Sequence, residues 1–320
     1  MEEPGMMEIK KAVMNVEEEN LKLVKMLKWP EGKVDVILDT DTYNEVDDQF
    51  ALAYMLRSEE KLNVKAVYAA PFFNQKSNGP EDGMLKSYDE IGKMLKLLDR
   101  EDMMDKVYLG SRQFLPSETE PVQSEAANDL ARRAMDYTQE NPLYVLAIGA
   151  ITNISSALLI NPEIKDRMVV VWLVGNGFEW PDNYEFNARQ DVAAVRVLLG
   201  CGVPVVLLPC RGVVSAFSVS GPELEYWLRG KNELCDYLVE TTLEYAKEKG
   251  YPDVWTKPIW DVTTVGWLLN RDYFMDRLVP SPIAEYDHKW AFDQSRHMIR
   301  YVYYINRDLL FQDLFRKLVK

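Results

Sequence analysis

Short Val-rich runs of strand length alternate with longer amphipathic segments through most of this chain. The runs with the clearest strand character lie at Val34–Leu38, Val64–Ala70, Val107–Gly110, Tyr144–Ile148, Met168–Val174 and Val203–Leu208. Segments of helix length begin near Asp48, Met84, Ser124, Thr152, Gln190 and Pro222. Strands that are apolar on both faces are typical of parallel sheets covered by helices. The alternation therefore predicts an α/β fold, with an open, mostly parallel β-sheet flanked by helices around a Rossmann-like core.

Strand signals become sparse after Gly221, where helical patterns dominate. The sequence predicts helices at Asn232–Lys249, at Asp261–Leu269 and from Arg307, and a late strand at His297–Ile305. No low-complexity linker divides the chain, so we expect residues 34–320 to form a single domain. Residues 1–33 are expected to form an N-terminal helical extension, whose periodic part is Val16–Lys28.

Composition excludes several classes of partner. The chain has 37 Lys and Arg against 51 Asp and Glu, a net charge of −14 that disfavours nucleic acid and anionic membrane surfaces. No apolar run approaches the roughly 18 residues of a membrane span. Three cysteines without paired spacing and an acidic N-terminus argue against a disulfide framework and a signal peptide. We therefore expect a cytoplasmic protein.

Four aspartates crowd the segment after the first predicted strand: Asp39, Asp41, Asp47 and Asp48. Ligands of open α/β sheets bind at the carboxyl ends of the strands. Carboxylates this close raise one another's pKa unless a cation compensates, and a helix N-terminus supplies only about half a positive charge. Helix capping could account for a single aspartate here, but it does not readily account for four within ten residues. Because no His or Cys lies nearby, the pattern predicts a hard divalent cation, Ca²⁺ or Mg²⁺, rather than zinc.

This acidic segment resembles the signature of the inosine-uridine-preferring nucleoside hydrolases, in which Asp-x-Asp-Pro-Gly-x-Asp-Asp leads into a small-apolar helix. Here the Pro-Gly is absent and two extra residues lie between Asp41 and Asp47. Further segments resemble the family's motifs in the family's order: Tyr68–Asn74, Leu146–Ile154, Trp172–Gly177, Glu185–Asn187 and Trp260–Asp261. The resemblance covers about residues 34–270 and implies calcium-dependent hydrolysis of the N-glycosidic bond of a ribonucleoside or related N-riboside.

The resemblance also implies roles for individual residues. Asp41 would bind the metal and accept a proton from the attacking water, and Asp48 would chelate the cation. Thr152, through its backbone carbonyl, and Asp261 would complete the metal shell. The substrate-binding residues would be Asp47, Asn74, Leu173, Glu185, Asn187 and Trp260. The expected partner is a small nucleoside-like molecule, and the expected assembly is a homodimer or homotetramer.

Trp260 stands where part of the family carries a His that protonates the departing base. An indole cannot donate a useful proton at neutral pH, so general acid catalysis from this position is excluded. The Trp260 ring instead predicts that the part of the site that binds the base is aromatic, and that purine ribosides are preferred to pyrimidine ribosides. His288 and His297, the two histidines of the chain, would be the first candidates for another acid.

Two other functions stay open at this point. Ile37–Thr42 also fits the Asp-x-Asp-x-Thr opening of haloacid-dehalogenase-like phosphatases, in which Asp39 would be the nucleophile and Mg²⁺ the cofactor. Such enzymes need a later acidic pair, and the nearest candidate segment presents Asn176 where Asp is needed. A non-catalytic nucleoside- or sugar-binding homologue is the third possibility, suggested by Trp260 and the altered acidic loop.

Overall fold

The computed structural model describes residues 20–320. Its strands are β1 (Val34–Thr40), β2 (Leu62–Ala69), β3 (Val107–Tyr108), β4 (Leu143–Ala147), β5 (Met168–Leu173), β6 (Val205–Leu208), β7 (Ser218–Val219), β8 (Lys257–Pro258), β9 (Phe274–Pro280), β10 (Ile283–Ala284), β11 (Trp290–Ala291) and β12 (Met298–Ile305). Its α-helices are α1 (Asp47–Leu56), α2 (Pro80–Leu97), α3 (Glu125–Arg133), α4 (Thr152–Ile160), α5 (Phe186–Gln190), α6 (Val192–Gly200), α7 (Gly221–Leu228), α8 (Glu233–Glu248), α9 (Val262–Leu269) and α10 (Arg307–Leu318). Short 3₁₀-helices lie at Glu101–Lys106, Ala134–Asp136, Pro162–Asp166, Val214–Ala216 and Arg271–Tyr273.

The main sheet has the strand order β3-β2-β1-β4-β5-β6-β12-β9. Its neighbours pair in parallel except β9, which runs antiparallel to β12. Chain order reverses between β1 and β4, where Asp39 pairs with Ala147 across the two strands. In such sheets the crevice at the reversal is where ligands bind. The fold therefore places the segment after β1 at the position best suited to hold a ligand.

Apolar side chains project from both faces of this sheet and form a hydrophobic core on each face. In β5, Val169 and Val171 join one core, while Val170 and Trp172 join the other. The first core also contains α1, α2, α8, α9 and α10, and the second contains α3, α4 and α6. Because successive strand side chains alternate between faces, a strand covered on both sides must be apolar throughout. This requirement produces the Val-rich runs of the sequence.

The predicted α/β architecture and its principal parallel strands are confirmed, and the strand boundaries differ from the predicted ones by at most two residues. The edge strand β9 was not predicted, because only Phe274 of its seven residues is buried and its hydrophobic pattern is correspondingly weak. The helix expected near Gln190 is two helices, since the Asp191 side chain accepts a hydrogen bond from the Ala194 N–H and starts a new one. Among the described residues, no helix combines the length and the apolarity that crossing a bilayer would need.

Residues 1–19 of the predicted N-terminal extension lie outside the described part of the chain. Within it, residues 20–26 are helical, and Met26 and Leu27 are buried against the first core. The Trp29 indole N–H donates to the backbone carbonyl of Trp267 at 2.7 Å. The segment that precedes β1 therefore packs on the sheet domain, and the domain boundary at residue 33 stays a prediction.

Candidate active site

A cavity of about 330 Å³ opens at the carboxyl edge of the sheet, over the ends of four neighbouring strands. The loop after β1 and the first residues of α1 contribute most of its acidic lining, and Ile148 follows β4 at the next position along the edge. Leu173 ends β5, and Cys210 and Arg211 follow β6. The remaining wall includes Trp260 and Asp261, which lie just before α9. The cavity thus occupies the topological reversal point that the strand order creates.

Three buried carboxylates converge at the acidic end of this cavity. Asp47 and Asp48 open α1, Asp261 precedes α9, and each offers an oxygen within 4.8 Å of the others. Asp41 lies beside them in the cavity wall, and its Oδ2 is buried without a hydrogen-bond partner among the described residues. Gly149 leaves room for Asp41, because a Cβ there would stand 3.2 Å from the Asp41 carboxyl carbon.

Burial makes this concentration of negative charge costly. Burial raises the pKa of Asp48 to about 7, and the neighbouring charge of Asp47 adds to the rise. Burial and then the charges of neighbouring aspartates raise the pKa values of Asp41 and Asp261 well above the usual range. A divalent cation would reverse this penalty, since its charge favours ionised ligands. Oxygen ligands with unpartnered lone pairs suit Ca²⁺ or Mg²⁺, so the residues present fit such an ion.

The side chain of Thr40, the last residue of β1, orients one member of the cluster. The Thr40 hydroxyl donates to Asp48 Oδ1 at 2.5 Å, and Thr42 contacts the same hydroxyl at 2.8 Å. The preceding residue, Asp39, points to the opposite face of the sheet, as strand alternation requires. There it accepts a hydrogen bond from Asn153 Nδ2 at 2.8 Å. Asp39 is fully buried and is not among the residues that line the cavity.

Lys257 supplies positive charge inside the acidic cluster. Its side chain is 2% exposed, and Nζ lies 2.6 Å from Glu45 Oε2 and 3.5 Å from Asp47 Oδ1. Burial alone would lower the pKa of Lys257, but the charges of Asp47 and Glu45 outweigh it and raise that pKa strongly. The same ion pair lowers the pKa of Glu45 even though burial opposes it. Lys257 is therefore a permanent cation that offsets part of the cluster's charge.

Glu185 and Asn187 line the cavity, and hydrogen bonds hold both side chains at the ends of β4 and β5. Glu185 accepts hydrogen bonds from the backbone N–H groups of Gly175, Asn187 and Ala188, at 2.9 to 3.1 Å. The Asn187 amide donates to the carbonyl oxygens of Ile148 and Leu173, both at 3.0 Å. These bonds bridge two neighbouring strands, so both side chains are held rigidly at the cavity wall.

Comparison with known proteins shows the family to which this chain belongs. The sequence profile of the inosine-uridine preferring nucleoside hydrolases matches residues 81–303. The chain belongs to this family. It is 25% identical over 146 residues to the pyrimidine-specific ribonucleoside hydrolase RihB of Shigella flexneri, covering 42% of this chain and 44% of that protein. It is 27% identical over 152 residues to an uncharacterized protein of Schizosaccharomyces pombe, covering 42% of this chain and 45% of that one.

These alignments span less than half the length of the curated relatives, whereas structural similarity extends over most of the chain. The plant nucleoside hydrolase PpNRh1 superimposes with a TM-score of 0.72 at 17% identity, covering 91% of this chain and 99% of that one. The purine-preferring ribonucleoside hydrolase from Gardnerella vaginalis gives a TM-score of 0.70 at 19% identity, covering 89% and 98%. At such identities the likeness establishes the fold, which is that of the nucleoside hydrolases.

Most of the predicted site residues meet in the cavity. Those that line it are Asp41, Asp47, Asp48, Leu173, Glu185, Asn187, Trp260 and Asp261. The structure keeps Asn74 just outside, where its amide donates to Asn44 Oδ1 at 2.6 Å and Asn44 in turn lines the cavity. It also does not bring Thr152 to the lining. The Thr152 hydroxyl donates to Asp191 at 2.6 Å, while Ile148, which follows β4, lines the cavity.

The two histidines lie in different surroundings. The His288 ring packs edge-on against Tyr184 of the cavity wall, with centroids 4.9 Å apart. His297 lines a separate cavity near residues 20–26, where burial and the neighbouring Arg296 lower its pKa to about 4. His297 is therefore neutral at physiological pH and remote from the acidic cluster.

Several lining residues had not been predicted, namely Asn44, Glu45, Ile148, Phe186, Arg189, Cys210 and Arg211. Glu45 belongs to the segment that lengthens the acidic loop. The insertion was therefore the sequence signal that could have indicated a site residue here. Its partner Lys257 is 212 residues away along the chain. No local spacing pattern connects the two residues, and only the fold reveals the pair.

Replacing Lys257 with Met should strongly destabilise the protein, because it leaves Glu45 and buried Asp47 without their cation. Breaking a buried ion pair from one side costs about 3–5 kcal/mol. Urea unfolding in the presence of a chelator should show a loss of that order in the free energy of unfolding. The matched control is Lys289→Met, whose side chain is 64% exposed and should change that free energy by less than about 0.5 kcal/mol. Equal, small effects of the two substitutions would show that Lys257 does not stabilise the cluster.

Proposed function

We propose that this chain hydrolyses the N-glycosidic bond of a ribonucleoside or a related N-riboside, with a divalent cation held by its acidic cluster. The observation that carries the proposal is the set of buried carboxylates at the carboxyl end of β1, two of which have oxygens without hydrogen-bond partners among the described residues. Family membership supports the reaction type. Asp39, which the phosphatase alternative requires as nucleophile, is not among the cavity-lining residues.

Asp41, Asp48 and Asp261 would hold the cation. Oxygen ligands suit Ca²⁺ or Mg²⁺, and we propose Ca²⁺ because the resemblance to the family implies it. Thr152 would contribute through its backbone carbonyl, as the resemblance to the family implies. When bound, a divalent cation lowers the pKa of water and orients the hydroxyl groups of a sugar. Lys257 forms ion pairs with Glu45 and Asp47. The cation would therefore neutralise the carboxylates that Lys257 does not pair with.

Asp41 is the proposed general base. Its Oδ2 is buried, borders the cavity and has no hydrogen-bond partner among residues 20–320, so it can accept the proton of the attacking water. Riboside hydrolysis passes through a transition state with oxocarbenium character. The net negative charge of the surrounding carboxylates stabilises positive charge that develops on the sugar.

The ribose would be held by groups that the fold fixes in place. Asp47 lies at the start of α1, while Glu185 and Asn187 are anchored to the ends of β4 and β5. Both N–H groups of the Asn187 amide are used by Ile148 and Leu173, so its carbonyl oxygen is the group available to a sugar hydroxyl. Asn74 would act through Asn44, which it contacts directly.

Aromatic side chains support a preference for purine bases. Trp260 is partly buried in the cavity wall, and Tyr184 and Phe186 line the same cavity. A purine has a larger face to stack on them and a more basic N7 than a pyrimidine has. The named relatives include both a pyrimidine-specific and a purine-preferring enzyme, so this preference rests on the aromatic lining.

We also propose a cytoplasmic location and a homodimeric or homotetrameric assembly. Cys201, Cys210 and Cys235 are all free, as expected of a protein in a reducing compartment. The assembly follows from the family resemblance alone, and light scattering of the purified protein tests it.

Replacing Asp48 with Asn should abolish cation binding and activity together, because it removes a charged ligand that Thr40 orients. We expect kcat/KM for inosine to fall by at least about 100-fold, in line with the loss of an essential electrostatic group. Isothermal titration with Ca²⁺ and a reducing-sugar assay measure the two effects. Asp105→Asn, an exposed substitution of the same kind, should leave both unchanged. Full activity of Asp48→Asn would refute the proposed metal site.

Replacing Trp260 with Ala should reduce the hydrolysis of purine ribosides more than that of pyrimidine ribosides. Base–aromatic stacking is worth about 1–3 kcal/mol, which corresponds to about 5- to 150-fold in kcat/KM. The measurement compares inosine and adenosine with uridine and cytidine in both proteins. Trp227→Ala, a half-exposed residue away from the cavity, is the control. A wild-type preference for uridine would contradict the stacking proposal, and tight inosine binding without turnover would favour the non-catalytic alternative.

A further inference from the structure

Two arginines line a cavity whose other charged walls are mainly carboxylates. Arg189 lies on α5 and Arg211 follows β6, and both are exposed to solvent at the cavity wall. Neither forms an ion pair with another residue of the described chain, although the protein carries 51 acidic residues against 37 basic ones. Two unpaired guanidinium groups facing one cavity in so acidic a protein are positioned to meet an anion from outside.

Arg211 lies away from the aspartates that follow β1. Arg211 follows β6, which is the third strand from β1 in the sheet. Neighbouring strands are spaced by about 4.8 Å, so the ends of β1 and β6 are about 14 Å apart. Arg211 therefore lies across the sheet edge from the aspartates that follow β1, while Arg189 is on α5, which begins beside the ends of β4 and β5. A ligand that spans the cavity would meet the aspartates after β1 and the Arg211 guanidinium group.

The backbone holds Arg211 in place. The Cys210 N–H donates to the Gly175 carbonyl at 2.7 Å, and the Gly177 N–H donates to the Arg211 carbonyl at 2.9 Å. Gly212 follows with φ +88°, a left-handed conformation that suits glycine and turns the chain immediately after Arg211. The main chain at Arg211 is thus fixed between the loop after β5 and a tight turn.

Aromatic rings hold Arg189. Its Nη1 donates to the Tyr184 hydroxyl at 2.9 Å, and its guanidinium carbon lies 4.9 Å from the Tyr184 ring centroid and 5.3 Å from that of Phe186. A guanidinium group has five N–H donors, so this bond leaves donors for a ligand. Glu185, a carboxylate on the same segment, accepts three backbone N–H groups, which offsets its repulsion of an anion.

We propose that Arg189 and Arg211 form an anion subsite and that the substrate is an N-riboside bearing a negative charge, either on its base or as a 5′-phosphate. This inference rests on the proposed function, because it assumes that a riboside occupies the cavity. Guanidinium groups bind carboxylate, enolate and phosphate oxygens with charge-assisted hydrogen bonds. Both sources of charge present the same chemistry to the two arginines, and matched substrates distinguish them.

The test compares three purine compounds with the calcium-loaded protein at one mildly alkaline pH. Inosine is neutral, xanthosine carries its charge on the base, and inosine 5′-monophosphate carries its charge on the sugar. We expect kcat/KM for one of the two anions to exceed that for inosine by roughly tenfold, the factor that a single charge-assisted contact supplies. The preferred anion identifies where the charge lies. If neither anion is preferred to inosine, the subsite does not exist.

Substitution then tests the two arginines themselves. Arg189→Gln and Arg211→Gln should each lower the ratio of anion to inosine kcat/KM by roughly tenfold. Arg112→Gln is the control for long-range electrostatics, because Arg112 is 68% exposed, is not among the cavity-lining residues and changes the net charge equally. An unchanged ratio in both cavity variants, or an equal fall in the control, would overturn the proposal.

Calorimetry separates this proposal from the proposed function. If no riboside is hydrolysed, the hydrolase proposal fails, and the dissociation constants of the same three compounds still test the subsite. Tighter binding of an anion that weakens in Arg211→Gln supports the subsite without any turnover. Equal binding of all three compounds by the wild-type protein contradicts it.

Discussion

The arrangement of this site depends on how the negative charge buried at the end of β1 is compensated. Asp41, Asp47 and Asp48 follow one strand, Asp261 joins them from a distant segment, and burial raises the pKa of each. Isolated charges are expensive to bury, and a buried carboxylate stays ionised near neutral pH only where positive charge or hydrogen-bond donors compensate it. The structure supplies one compensating charge, the Lys257 ammonium group, and the divalent cation that we propose would supply the other.

The fold brings the first of these charges into place with a small structural element. Lys257 lies on β8, which pairs antiparallel with β7 through Val219. The chain then passes through Trp260 and Asp261 into α9, which packs with α1 in the first core. One short ribbon thus positions a buried cation, an aromatic ring and a carboxylate at the same edge of the sheet. Glu45, from the lengthened acidic loop, accepts the Lys257 hydrogen bond. The altered loop and Lys257 therefore form one ion-paired unit.

Much of the fold and of the acidic end could be predicted from the sequence, because the determining features are local. A Val-rich strand followed by aspartates fixes Asp41 and Asp48 at the carboxyl edge of a parallel sheet. Glu185 and Asn187 were likewise predicted as a pair, and the structure brings them to the cavity. These residues follow strand ends or open helices, which are the positions that periodicity locates best.

The remaining features depend on contacts between distant segments. The ion pair of Lys257 with Glu45 and the unpaired state of Arg189 and Arg211 follow from tertiary packing, and no spacing rule predicts them. Thr152 shows a second limit, since a motif match places the residue at the start of α4 but does not say whether it lines the cavity. The edge strand β9 was missed for a third reason, because its exposed residues weaken the hydrophobic pattern.

The central claim is that the buried carboxylates at the end of β1 exist to hold a divalent cation. Elemental analysis of the wild-type protein, purified without chelator and dialysed against metal-free buffer, tests it most directly. The account predicts about one equivalent of Ca²⁺ per chain, as expected for a single high-affinity carboxylate site. Protein that is folded and active on a riboside while containing neither Ca²⁺ nor Mg²⁺ would contradict it.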